Sequence, residues 1–132
     1  MTIFGAIGVA GTGMTVTRKW MDAISDNLAN ASTVTSTSEE AFRTRYVVAQ
    51  EMTGGDGGVQ VAGIALGDAE GRLVHEPGHP LADEDGYVRY PDVDMASQMT
   101  QLIMAQRGYQ ANAAVVSRAT ESYQAALQIG RS

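Results

Sequence analysis

The chain has no cysteine, a single lysine, three prolines and one tryptophan in 132 residues. The missing cysteine excludes disulfides, thiolate metal sites and cysteine nucleophiles, and it is compatible with an oxidising compartment without requiring one. Basic residues are few and scattered against a net charge of −6, which excludes a nucleic-acid footprint. No apolar run approaches the roughly 20 residues of a membrane span. The stretch from Met1 to Met14 is mildly apolar, but Arg18 and Lys19 follow it instead of preceding it. That is the wrong order for a cleavable secretory signal, so any export is expected to leave the N-terminus uncleaved. Gly54-Gly55-Asp56-Gly57-Gly58 lacks the Gly-Lys-Ser/Thr of a phosphate loop and reads as a flexible connector.

What the chain does contain is a pair of apolar seams, one at each end. Ile3, Ile7, Ala10, Met14, Met21, Ile24, Leu28 and Ala31 recur at alternating steps of four and three, with Thr17 interrupting. Met95, Met99, Leu102, Tyr109, Ala113, Val116, Tyr123 and Leu127 do the same, with Gln106 and Thr120 as polar members. This spacing keeps one stripe of a helix against a partner and imposes a left-handed supercoil. The candidate packing and subunit-interface positions are therefore Ile7, Met14, Met21, Ile24, Leu28, Met95, Met99, Leu102, Tyr109, Val116, Tyr123 and Leu127. Both seams lean on Ala, Met and Gly, so a lone helix pair buries a thin core and a monomer is expected to be only partly folded. Trp20 is a further candidate anchor, at an interface or against the second helix.

Charge is divided in the same way. Residues 34–94 hold twelve acidic and four basic side chains, a balance of −8, whereas the remainder carries +2. An acidic, solvated middle between nearly neutral ends leaves the ends free to pack closely.

Local signals divide the chain into three parts. A first helix is predicted over Ile3–Ala29, weakened by Gly5, Gly8, Gly11 and Gly13 and stopped by Asn30 and a Ser/Thr run. Four short strands are predicted at Arg45–Ala49, Gly58–Leu66, Arg72–Glu76 and Gly86–Tyr90, with Asp85-Gly86 as a turn. A second helix starts after the N-cap residue Asp94 and runs to about Ile129, with Gly130 as its stop. The expected fold is mainly α: long terminal helices pairing as an antiparallel coiled coil, with a small irregular β region between them. The expected division is 1–33, 34–93 and 94–132.

One motif suggests chemistry. His75-Glu76-Pro77-Gly78-His79 fits the literal H-E-x-x-H pattern, which places two histidines on one helical face around zinc. Pro77 and Gly78 are poor helix residues in strand-and-turn surroundings, so the segment reads as a turn. A small zinc hydrolase using His75, Glu76 and His79 is the competing reading from another class, and a coiled-coil interaction module is a third. Asp83-Glu84-Asp85 lacks the alternating ligands of a calcium loop and reads as a solvated loop. The close Met95, Met99 and Met104 read as adaptable packing.

Two blocks of sequence carry a resemblance. Asn27-Leu28-Ala29-Asn30, at the end of the first helix, resembles the Asn-Leu-Ala-Asn signature of flagellar basal-body rod proteins. Arg107-Gly108-Tyr109-Gln110-Ala111-Asn112 resembles their Arg-x-Tyr-x-Ala-Asn block, and Leu127-Gln128-Ile129 matches their ending. The stretch Pro77–Asp94 resembles the proximal-rod members most, with departures at Asp92 and Gly108. The resemblance implies a non-enzymatic, cofactor-free structural subunit of the rod that crosses the periplasm, or else another axial paralogue. It implies terminal helices lining an inner tube around the export channel, an outward-facing middle, and partners among other rod subunits, copies of itself and the type III export apparatus. It implies neither a nucleic-acid nor a small-molecule partner, and no membrane insertion. It also implies ends that fold on assembly.

Overall fold

A computed structural model describes residues 2–132. Helix α1 spans Ile3–Ala29, strands β1 to β4 span Arg45–Glu51, Val59–Leu66, Arg72–His75 and Tyr87–Tyr90, and helix α2 spans Met95–Gly130. The predicted elements are all present. Differences at their ends are small, the largest being β1, which continues two residues past Ala49 because its partner strand keeps pairing through Glu51↔Val59.

Each helix begins on a side-chain cap. The Thr2 hydroxyl accepts the Gly5 N–H at 3.0 Å, and the Asp94 carboxylate accepts from Ala96 and Ser97 at 3.1 and 3.3 Å. These bonds satisfy N–H groups that a helix start leaves orphaned. At its far end α1 closes on Asn30, whose backbone N–H reaches the Asp26 carbonyl at 3.1 Å and whose side-chain amide reaches it at 2.8 Å.

The helices run antiparallel along their shared length. Phe4 meets Tyr123 edge-on at 5.1 Å, Gly13 lies against Asn112, Thr17 lies against Gly108, and Asn27 bonds Gln98 at 2.9 Å. Rising positions on α1 thus meet falling positions on α2. At 1.5 Å per residue α2 is about 54 Å long and α1 about 40 Å, so the last turns of α2, beyond Tyr123, extend past the start of α1.

Strands β1 and β2 form an antiparallel hairpin, bulged between Val48 and Ala49, that lies on α1 opposite α2. Val16 and Trp20 of α1 line a shallow hollow of about 230 Å³ with Val47 and Ala49. The Val59 N–H donates to Thr12 Oγ1 at 3.1 Å. The glycine loop joining the strands is expected to be a flexible connector, but it is seated: a methyl group at Gly5 would sit 3.1 Å from the Asp56 carboxylate. Helix α1 is therefore the middle layer, and among the described residues α2 packs on no strand.

Strands β3 and β4 form a second antiparallel pair, with Arg72↔Tyr90 at one end and His75↔Tyr87 at the other. The free edge of β4 exchanges two 2.9 Å hydrogen bonds with Thr35, and Val88 is fully buried. Arg89 donates to the Thr37 carbonyl at 2.9 Å and to the Glu70 carbonyl, fastening the polar segment after α1 to this unit. Gly71 has φ +60°, and a Cβ there would overlap the Tyr90 carbonyl oxygen and crowd Ala41. Gly71→Ala is therefore expected to cost on the order of 3 kcal/mol, from left-handed strain plus a backbone collision. Urea denaturation of the two chains checks this. Gly71→Asn tolerates the φ value but still carries a Cβ, so full recovery in that variant would rule out the collision.

The core is sparse. Among the described residues the buried apolar side chains are Ala10, Ala23, Ile24, Ala41, Val88, Pro91 and Ala105, joined by the polar Asn27, Thr44 and Gln98. The accessible surface is 8511 Å², whereas a compact monomer of this mass would expose about 6,700 Å². The excess belongs to an elongated molecule with much apolar side chain left uncovered.

Candidate assembly surface

The candidate surface lies on the two helices, and two of the motif residues, Asn27 and Asn112, join elements beneath it. Asn27 is 1% exposed. Its amide donates to the Arg45 carbonyl and to Gln98 Oε1, both at 2.9 Å, while its Oδ1 accepts the Arg45 N–H at 2.8 Å. One side chain thus joins α1, the start of β1 and α2, with both amide hydrogens donated and its oxygen accepting once, so neither polar end of the buried amide lacks a partner. Beside it Arg45 pairs with Asp26 at 2.6 Å, both about half exposed, a bridge worth under about 1 kcal/mol. Leu28 is half-buried, Ala29 is exposed, and Asn30 forms the helix stop already described.

In the second block Asn112 lies on Gly13, where a Cβ would come within 2.7 Å of its amide nitrogen. Asn112 itself donates to the Gly108 carbonyl at 2.9 Å, and Gly108 faces the Thr17 methyl. Gly13 and Gly108 thus let the helices approach closely at mid-length. Tyr109 is half-buried beside Gly11, Met14, Thr15 and Arg18, around an open hollow of about 240 Å³. Arg107 and Ala111 are exposed.

The seam positions fall into two groups. Ile24 is buried, and Ile7, Met14, Met21, Leu28, Leu102, Tyr109 and Val116 are half-buried. Met95, Met99, Tyr123 and Leu127 are exposed. The stripe of α2 facing α1 shares Leu102, Tyr109 and Val116 with the sequence pattern. Its other positions lie one residue earlier, at Gln98, Ala105, Asn112 and Ala119, with Gln98 and Ala105 fully buried. Gln106 and Thr120, the polar members of the apolar pattern, are exposed. Gln98 and Ala105 escape a pattern weighted on large apolar side chains, although an amide or an alanine recurs at their position every seven residues. Ile103 lies outside the heptad pattern and is about as exposed as Met99.

The His75–His79 segment has no helix to bring its histidines to one face. His75 ends β3 and meets the Tyr87 ring at 5.0 Å. Glu76 accepts the Tyr90 hydroxyl at 2.9 Å, a bond that raises the Tyr90 pKa. His79 Nδ1 accepts the Leu81 N–H at 3.0 Å. Among the described residues no three His, Asp or Glu side chains gather as a metal-binding group. Asp83 in the acidic run is a turn residue: it accepts from the Tyr87 and Asp85 N–H groups and from Thr37 Oγ1. These bonds, that from Tyr87 first, hold its carboxyl below the ordinary range.

Comparison with known proteins agrees with this architecture. Residues 84–129, which take in β4 and nearly all of α2, match the family described as flagellar basal body rod FlgEFG protein C-terminal. The chain is 36% identical to the flagellar basal-body rod protein FlgC of Yersinia enterocolitica and 34% identical to that of Escherichia coli O157:H7. It is 30% identical to the protein of the same description from Bacillus subtilis. In each case the alignment covers 99% of this chain and 100% of the relative. The chain belongs to the FlgC family of flagellar basal-body rod proteins, a family of structural subunits.

Proposed function

We propose that this chain polymerises through its terminal helices to form part of the proximal rod, the drive shaft around the flagellar export channel. The observation that carries the reading is uncovered apolar surface on a helix pair whose sequence aligns end to end with rod proteins. Residues 1–33 and 94–132 form the inner tube, and the acidic middle, 34–93, faces outward. Met95, Met99, Tyr123 and Leu127, exposed in the single chain, become covered by neighbouring subunits. The half-buried seam residues pack within the protomer. Partners are other rod subunits, copies of this chain and, during delivery, the type III export apparatus, which passes the chain without signal cleavage. The protein works without catalysis or cofactor. Among the described residues no helix is long and apolar enough to cross a membrane, in keeping with a subunit that stands in the periplasmic rod and is not inserted in the bilayer.

The mechanism is coupled ordering and docking. Apolar burial at about 25 cal/mol per Å² offsets the entropy of fixing long helical ends whose own core is thin. The test is complementation of a strain lacking its own rod protein of this family. The full chain is expected to restore swimming and to be recovered in purified basal bodies. A stably produced chain that never appears in basal bodies would overturn the reading.

A further inference from the structure

The two ends of the helix pair carry different uncovered patches. At one end, Met95, Met99 and Ile103 follow each other at steps of four on α2 and are 50, 52 and 52% exposed. They lie in Met95–Gln106, a stretch without a charged residue. At the other end, the seam of α2 runs on past its partner. Tyr123 meets Phe4 at the start of α1, and Leu127, one turn further on the same face, is 50% exposed. Ser122–Gly130 is also free of charge.

We propose that the projecting end of α2 in one copy receives the Met95–Met99–Ile103 stripe of a second copy, in a head-to-tail contact. The contact rests on the rod assembly proposed above and specifies which faces meet. Three observations favour a second copy. The seam at Leu127 continues an interface that already packs helix on helix within the protomer, so another helix is the occupant that fits it. Both patches are neutral, so neither repels the other and neither requires a charged partner. Their lengths agree: the stripe extends about 12 Å and the projecting turns about 10 Å at the helical rise.

An end-on two-fold contact would pair one patch with itself and leave the other wet, and a side-by-side antiparallel pair would join each patch to the other and close at two copies. End-to-end contact places each patch on a different neighbour, so it continues as a ring or helix, and a doubly substituted chain that stops at dimers would overturn it.

The natural absence of cysteine gives a clean background for disulfide trapping. Full-length Met99→Cys and Leu127→Cys chains are purified separately, mixed and oxidised at high protein concentration. The mixed dimer is expected to exceed either homodimer by about tenfold, the preference that one well-placed contact supplies. A chain carrying both substitutions should give a ladder of multimers. Tail-to-tail Leu127→Cys dimers as abundant as the mixed species would overturn the proposal. The double variant is also expressed in the complemented strain. Recovery in basal bodies without self-crosslinking, or with crosslinks only to another protein, would sink this contact while leaving the rod reading intact. Absence from basal bodies, when the unmodified chain is present, would count against the substitutions' compatibility with rod assembly and thus against this geometry.

Discussion

Asn27→Ala is expected to lower stability by about 3 kcal/mol. The substitution removes three hydrogen bonds and leaves the Arg45 N–H, the Arg45 carbonyl and Gln98 Oε1 without their partner. Gln98 is 3% exposed, so its oxygen pays the full desolvation cost, about 1–3 kcal/mol for a buried unpaired group. Water reaches the Arg45 backbone more easily, which keeps the total near the lower end of a simple sum. The sequence consequence is mechanical: the acidic middle loses its fastening to the helix pair at the point where all three parts meet. A double-mutant cycle with Gln98→Leu separates this account from a loss of packing volume. The pair of substitutions should cost clearly less than the sum of the two, because each single change strands the other side chain. Strict additivity in chemical denaturation would show that the bond between the two amides contributes nothing.

Removing the residues after Tyr109 is expected to abolish both incorporation into basal bodies and swimming. The truncation takes away Gln110–Ser132, the part of α2 that lies along the first half of α1. That half contains Gly5, Gly8, Gly11 and Gly13, each costing up to about 1 kcal/mol in a helix interior relative to alanine. A short, glycine-rich helix does not persist alone in water. The hairpin still touches it at Gly5 and Thr12, but those contacts involve small side chains and bury little. Circular dichroism should therefore show helix lost from α1 in addition to the residues deleted. Swimming by a strain carrying only the truncated chain would contradict the assembly mechanism, because the projecting end and half of the seam would then be dispensable.

The sequence disclosed more of the elements than of their arrangement. Caps at Thr2 and Asp94, the stop at Asn30 and the Gly/Pro punctuation of the middle act over a few residues, so they can be read locally. The heptad spacing gives helices that pair, and the pairing is present. The phase of α2 was not legible from side-chain size. Large methionines draw the pattern to Met95 and Met99, whereas the most buried positions of α2 are Ala105 and Gln98. Ala105 lies one turn from Gly108, where the helices come close, and the Gln98 amide is held by Asn27. The role of Asn27 was similarly hidden. The family block marked the residue, but its partners are 18 and 71 positions away in the chain.

By itself, then, the sequence determined two long helices, a small β region, the separation of charge into the middle and the rod-protein blocks. These follow from propensities, spacing and composition, which are properties of neighbouring residues. The tertiary structure alone decided that α1 is sandwiched between α2 and the first hairpin, and that Asn27 and Gln98 occupy the junction. It also decided that α2 outruns its partner and leaves a different apolar patch at each end. The physical reason is distance: which face is buried depends on how closely two remote backbones can approach, and glycines at mid-length set that approach.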